Sequence, residues 1–327
     1  MKKITFGGMW EVLQNSFKGF MADKVLKLSA SLAYYTLFSL APLLIVLLFI
    51  CSQLFGREAI EGSVYGQIKS FVGPKSALQL QELVKNASIS GKNNLAAVIG
   101  IITLLIGATS VFAEIQDSIN SIWGLKTKPG KSIFQFLKSR LASFSVIGSL
   151  GFLLLVSLGV TAIIESLGDR LKAHFPDTTI VVFYILNVVI TFIVTSSLFG
   201  VIFKVLPDAR ITLKDVIAGA IATTVLFMLG KFAISFYISK SDIGSTYGAA
   251  GSLVVLLVWI YYSSTILYFG AEFTKSYAVK YGDPIYPNSY AVTIRYLEVE
   301  GGHETVQQSA KKEMKEQEKE NDKNEKM

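Results

Sequence analysis

Long apolar runs alternate with short polar turns along most of this chain, from about Ser29 to Tyr277. A helix that crosses a bilayer needs ~20 mostly apolar residues. The runs predict six such spans, at Ala30–Gln53, Leu95–Ser121, Leu141–Glu165, Ile180–Lys204, Val216–Ser239 and Tyr247–Glu272. The bilayer core has no water to satisfy backbone groups, so each run must close its own hydrogen bonds as a helix. The alternating pattern of a membrane barrel is missing. The expected fold class is all-α, a polytopic membrane protein with six transmembrane helices.

The flanking segments add to this picture. Ahead of the first run, Trp10, Leu13, Phe17, Phe20, Met21, Val25 and Leu28 recur at helical spacing, with Lys18, Lys24 and Lys27 among them. This predicts an amphipathic helix that lies on the inner membrane surface or packs on the bundle. Pro42 removes a backbone donor midway along the first run and predicts a kink. Between the first two runs, Val64, Ile68, Phe71 and Val72 fit one short helix and Leu80, Leu83 and Val84 another, split by Gly73-Pro74. They predict a small helical outer cap over residues 54–94. Beyond Tyr277, Gly282, Pro284 and Pro287 interrupt the helical pattern, and Lys311–Met327 is nearly free of apolar residues. Such a stretch cannot bury enough surface to fold alone. The expected organisation is a cytoplasmic amphipathic segment at residues 1–29, a membrane domain at 30–277, and a charged, largely disordered cytoplasmic tail at 278–327.

Hydrophobic residues make up 51% of the chain, and the net charge is +7. The placement of that charge favours a topology signal over nucleic-acid binding. Lys126, Lys128, Lys131, Lys138 and Arg140 crowd the second polar turn, and Lys204, Arg210 and Lys214 flank the fourth. The Ser166–Thr179 and Lys240–Thr246 turns carry mixed charge. The positive-inside rule then places both termini in the cytoplasm, with the lysines near anionic headgroups. The first run is too long for the apolar part of a cleavable signal peptide. One cysteine, Cys51, allows no internal disulfide, and His174 and His303 lie far apart.

Charged groups inside spans cost ~2.5–3.5 kcal/mol at the bilayer centre, so those present need a reason. In the second span Ser110, Glu114, Asp117 and Ser121 share one helical face. In the sixth, Tyr261, Thr265, Tyr268 and Glu272 repeat that spacing, with Lys275 after Glu272. Both stripes are candidate linings of a polar path. The plain alternatives are a wet interface for Asp117 and an ion pair with Lys275 for Glu272. Lys231 interrupts the fifth span, where it either snorkels or faces a cavity. Tyr34 and Tyr35, with Thr36 and Ser39, form a polar patch beside Pro42. Asp208 and Arg210 are read as a local turn pair. No phosphate loop, zinc-protease motif, nucleophile elbow or dinucleotide fingerprint occurs, so no catalytic, metal or cofactor set is expected.

Four stretches carry a resemblance: SLAYYTLFSLAPLL from Ser31, GATSVFAEIQDSINSIWGL from Gly107, LPDARITLKDVIAGA from Leu206, and YGAAGSLVVLLVWIYYSSTILYFGAEFTKSYA from Tyr247. On these the chain resembles the YihY/virulence factor BrkB family of bacterial inner-membrane proteins, once labelled ribonuclease BN. The resemblance implies six helices, cytoplasmic ends and a location in the bacterial inner membrane. It singles out Glu114, Asp117, Asn120 and Trp123 in the second span, Asp208 in the turn and Glu272 in the sixth. It defines no reaction, and the chain lacks the His/Asp ligand set a metal-dependent nuclease needs.

Three functional readings stand. The first is a transporter without ATP drive that moves lipid, an amphipathic molecule or a small ion, the last with ion or proton coupling. The second is an envelope scaffold without turnover. The third is a membrane enzyme, disfavoured because two carboxyls alone make a poor site. Membrane lipids are the expected partners, and the oligomeric state is open.

Overall fold

The computed structural model describes residues 4–39, 107, 110–127, 176–240 and 251–294. Most of the first span including Pro42, the outer cap at 54–94, the third span, Cys51, both histidines and the part of the expected 278–327 tail beyond residue 294 lie outside the described residues, while residues 278–294 of that tail are ordered as the end of a helix and two short strands. The residues through Thr293 form one compact unit; a second begins at Ile294.

Helix α1 is Phe6–Ala22. Thr5 caps it, its hydroxyl accepting from the Gly8 N–H at 3.2 Å, which satisfies one of the unpaired donors of the first turn. Lys24, at φ 51°, turns the chain in the left-handed region. Helix α2 then covers residues 25–39, and α3 covers 110–122. Three long helices follow: α4 (Pro176–Val205), α5 (Leu213–Lys240) and α6 (Gly251–Tyr281). Proline at the first position suits the start of α4, and Pro207 ends it by disfavouring helix at the residue before. Thr212 opens α5: its carbonyl accepts the first helical bond from Val216, and its hydroxyl donates to Asp215 at 2.5 Å.

Among the described residues, three segments are long and apolar enough to cross a membrane: Ile185–Val205, Leu213–Ile234 and Leu253–Tyr281. They coincide with the expected fourth, fifth and sixth spans. Helix α6 runs nine residues beyond the expected end at Glu272. Glu272 and Thr274 are buried there, and Lys275 donates to the Ile122 carbonyl, so the helix continues as packed protein.

The all-α expectation needs one correction. Two short antiparallel ribbons close one end, β1 (Leu125–Thr127) with β4 (Ala291–Thr293), and β2 (Ala209–Arg210) with β3 (Tyr286–Pro287). Strands β1, β2 and β3 lie just beyond the ends of α3, α4 and α6, and β4 follows β3 after a short turn. Pairing satisfies backbone groups of the chain after it has left the helices.

The contacts fix the packing directions. Helices α5 and α6 are antiparallel: Asp215 meets Gly282 and Asp283, Gly219 meets Thr274, and Thr223 meets Gly270. Helix α1 is antiparallel to the last part of α6, with Gly8 on Tyr281, Glu11 paired to Lys280, Gly19 on Glu272, and Phe20 edge-on to Phe269 at 5.9 Å. The α1 helix therefore packs alongside α6, the placement on the bundle that the sequence also allowed. The sequence treated its apolar positions as one face, but they divide. Val12, Ser16 and Phe20 are buried, while Trp10, Leu13, Phe17 and Met21 are exposed with Phe6.

Where α5 meets α6, small residues set the distance. Thr223 and Thr274 donate their hydroxyls to Gly219 and Gly270, four residues back on their own helices. Each threonine then sits on the glycine of the partner helix, where a Cβ would overlap it. Close approach through small residues substitutes for a hydrophobic drive that lipid does not provide. Gly219→Ala and Gly270→Ala are each expected to cost ~1–3 kcal/mol through overpacking, read as a lower thermal midpoint in detergent. Gly7, with open space around it, should accept alanine without loss.

Candidate functional site

Asp208 is 3% exposed, and a buried carboxylate must be supplied with donors. Gln116 and Asn120, one turn apart on α3, donate to its two oxygens at 3.0 and 3.1 Å. Asn120 also accepts from the Asp208 N–H at 2.8 Å, so one amide holds both side chain and backbone. The Asp208 carbonyl takes the Asn288 N–H at 2.9 Å. Three distant segments thus meet on one residue. Nearby, burial first and then the charge of Asp208 and a hydrogen bond to it raise the Tyr290 phenol above its ordinary pKa. The expected Asp208–Arg210 turn pair is not formed. Arg210 is exposed in β2, and the carboxylate faces α3.

The polar stripes of the second and sixth spans face each other in part. Helices α3 and α6 run parallel here, joined by Trp123, whose indole donates to the Ala271 carbonyl at 3.1 Å, and by Lys275 on the Ile122 carbonyl. Tyr268 is fully buried on α6, with Ser118 beside its hydroxyl and Glu114 and Asp117 within electrostatic reach. Glu114 and Ser110 are half-buried, and Asp117 is exposed. One turn on, Glu272 is 1% exposed. Its Oε2 lies 3.9 Å from Lys275, which is also 3.7 Å from Asp23. Among the described residues, no hydrogen bond of good geometry reaches the Tyr268 hydroxyl or Glu272 Oε1. Gly19 of α1 covers this carboxylate, and a Cβ there would come within 2.5 Å of it.

The remaining sequence candidates lie apart from this pair. Tyr34 and Tyr35 are exposed; the Tyr34 ring meets Tyr35 edge-on at 5.7 Å and lies tilted against Phe38 at 4.6 Å. Lys231 is exposed and makes no ion pair with a described residue. Tyr261 is half-buried, its carbonyl accepting from Thr265 at 2.8 Å. A separate apolar pocket of about 310 Å³ lies among Leu32, Phe199, Phe227, Trp259 and Leu267. No group of three His, Cys, Asp or Glu side chains able to hold a metal occurs among the described residues.

Sequence reasoning passed over Gln116, Ser118, Asp23 and Asp215. Asp215 is 3% exposed and binds both Thr212 and the Asp283 N–H, at 3.3 Å, tying the start of α5 to the end of α6. The Thr212-x-x-Asp215 spacing at a helix start was the available signal. Asn120→Ala would strand a buried carboxylate oxygen and a backbone N–H. A cost of ~1–3 kcal/mol is expected, seen as a lower thermal midpoint, whereas Arg210→Ala should leave the midpoint unchanged.

Comparison with known proteins places the sequence in a family. The chain is 27% identical over 271 residues to a UPF0761 membrane protein of Psychrobacter sp. (strain PRwf-1), covering 82% of this chain and 48% of the relative. It therefore spans about half the length of that relative. It is 29% identical over 258 residues to a UPF0761 membrane protein of Pseudoalteromonas atlantica, covering 77% of this chain and 81% of the relative. A Bacillus subtilis relative with a ribonuclease-like name, YfkH, is 27% identical over 248 residues, covering 75% and 86%. No solved structure matches. The family described as virulence factor BrkB matches residues 16–290, and this chain, a membrane protein, belongs to that family.

Proposed function

We propose that the chain is a translocator of lipid or amphipathic molecules in the bacterial inner membrane, working without ATP, with both termini in the cytoplasm. The path runs beside α3 and α6, where Glu114, Asp117, Tyr268 and Glu272 supply polar contacts for a headgroup passing through apolar surroundings. One observation carries this reading. The Tyr268 hydroxyl and Glu272 Oε1 are buried one turn apart on one face of α6, and among the described residues no hydrogen bond of good geometry reaches either, although Ser118 and Asp23 stand beside them. An unmet polar group in a low-dielectric setting is costly, and ionisable groups within spans are functional sites by default. The arrangement can offer acceptors and a hydroxyl to a passing headgroup, with Lys275 as a countercharge at the edge. Residues 30–277 form the translocating domain.

A scaffold reading without turnover draws on a different observation. The Asp208 cluster is fully hydrogen bonded and joins three segments, as a static framework requires. The two readings separate in one assay. Purified protein in liposomes should move labelled phospholipid between leaflets. Glu272→Gln and the double variant Glu114→Gln/Asp117→Asn, at equal density and with unchanged thermal midpoints, should each slow that movement about tenfold, or ~1.4 kcal/mol on the barrier. Movement at the wild-type rate in both variants would remove these carboxylates from the path. No movement by the wild-type protein would favour the scaffold.

A further inference from the structure

Helix α1 has three faces. One packs on α6 through Val12, Ser16, Gly19 and Phe20. A second exposes the apolar stripe Phe6, Trp10, Leu13, Phe17 and Met21, spaced four, three, four and four apart. A third, carrying Gln14, Asn15 and Lys18, is exposed and polar. A wholly aqueous helix has no reason to hold the second stripe open, and the first face already docks it to the bundle.

The packing register shows what lies level with that stripe. Gly8 meets Tyr281, and Gly19 meets Glu272. On the other side of α6, Asp215 meets Gly282, Gly219 meets Thr274, and Thr223 meets Gly270. The stripe from Phe6 to Met21 therefore lies at the depth of residues from about Leu213 to Val225 on α5. Over that stretch α5 exposes its own apolar row, Leu213, Ile217, Ile221 and Val225, which continues through Leu229 to Phe232. This row belongs to a segment long and apolar enough to cross a membrane, and such a row is suited to acyl chains. The two stripes form surface of one kind at one depth.

We infer that α1 is a lipid-contacting helix set into one leaflet alongside α6, with its apolar stripe against acyl chains and its polar face, including Lys18, toward headgroup phosphates and water. Lysine at such a boundary buries its stem and carries its charge to the interface. The inference does not depend on the translocation reading, since a scaffold would be anchored in the same way.

Trp10 reports on the stripe without any change to the protein. The full chain is placed in nanodiscs made with acyl-brominated or ordinary phospholipid, and the Trp10 signal is taken as wild type minus Trp10→Phe. Bromination should remove most of that signal, while aqueous acrylamide should leave it nearly intact. A second measurement uses spin labels at Phe6→Cys, Phe17→Cys and Asn15→Cys in a Cys51→Ser background. Oxygen accessibility should exceed that of an aqueous nickel relaxant at positions 6 and 17, with position 17 deeper by up to ~16 Å, and the order should reverse at position 15. Acrylamide quenching of Trp10 with aqueous exposure at 6 and 17 would overturn the inference by placing the stripe in water. Shielding from both lipid and water would overturn it in favour of a second copy or another protein. Equal depth at 6 and 17 would overturn the standing orientation.

Discussion

A buried carboxylate holds together the end of the molecule where most of the described core lies. Burying the polar Asp208 side chain is costly unless donors surround it, and the donors come from other parts of the chain. Gln116 and Asn120 bring α3, and Asn288 brings the segment after α6. Once those are joined, the chain ends beyond the helices lie close enough to pair as ribbons. Removing any donor would leave polar groups buried without partners, so the constraint is shared by all three segments.

Against that satisfied cluster, the Tyr268–Glu272 pair is distinctive. Both sites are buried and polar, yet one closes its bonds with good geometry while, among the described residues, no bond of good geometry reaches the Tyr268 hydroxyl or one Glu272 oxygen. Glycines make both close packing and this concealment possible. Gly219 and Gly270 let α5 approach α6, and Gly19 lets α1 cover the Glu272 carboxylate. A side chain at position 19 would have to displace the carboxylate or lift α1 away, so the conformation of α1 and the state of Glu272 are physically linked.

The apolar surface has two fates along the same helices. Near the Asp208 end, Phe199, Phe203, Val216, Leu267 and Ala271 are packed inside. On the outward faces Leu213, Ile217, Ile185, Val189, Leu229 and Phe232 are exposed. Hydrocarbon accepts such exposure where water would not, which is why burial in this chain does not track hydrophobicity.

That difference explains what could be read in advance. Run length alone located α4, α5 and α6, because a helix that crosses hydrocarbon must be long and apolar whatever it packs against. The family, too, was legible in short motifs around Glu114, Asp208 and Glu272. The partner of Asp208 was not, because Arg210 is near in sequence while Asn120 is 88 residues away and near only in space. The split of the α1 stripe was likewise hidden, since a lipid-facing and a protein-facing apolar residue look the same in sequence. Composition thus determined that helices cross a membrane, a matter of transfer energy summed along each segment. Tertiary structure alone decided which polar groups are satisfied, because hydrogen bonds depend on distances between segments that no local pattern encodes.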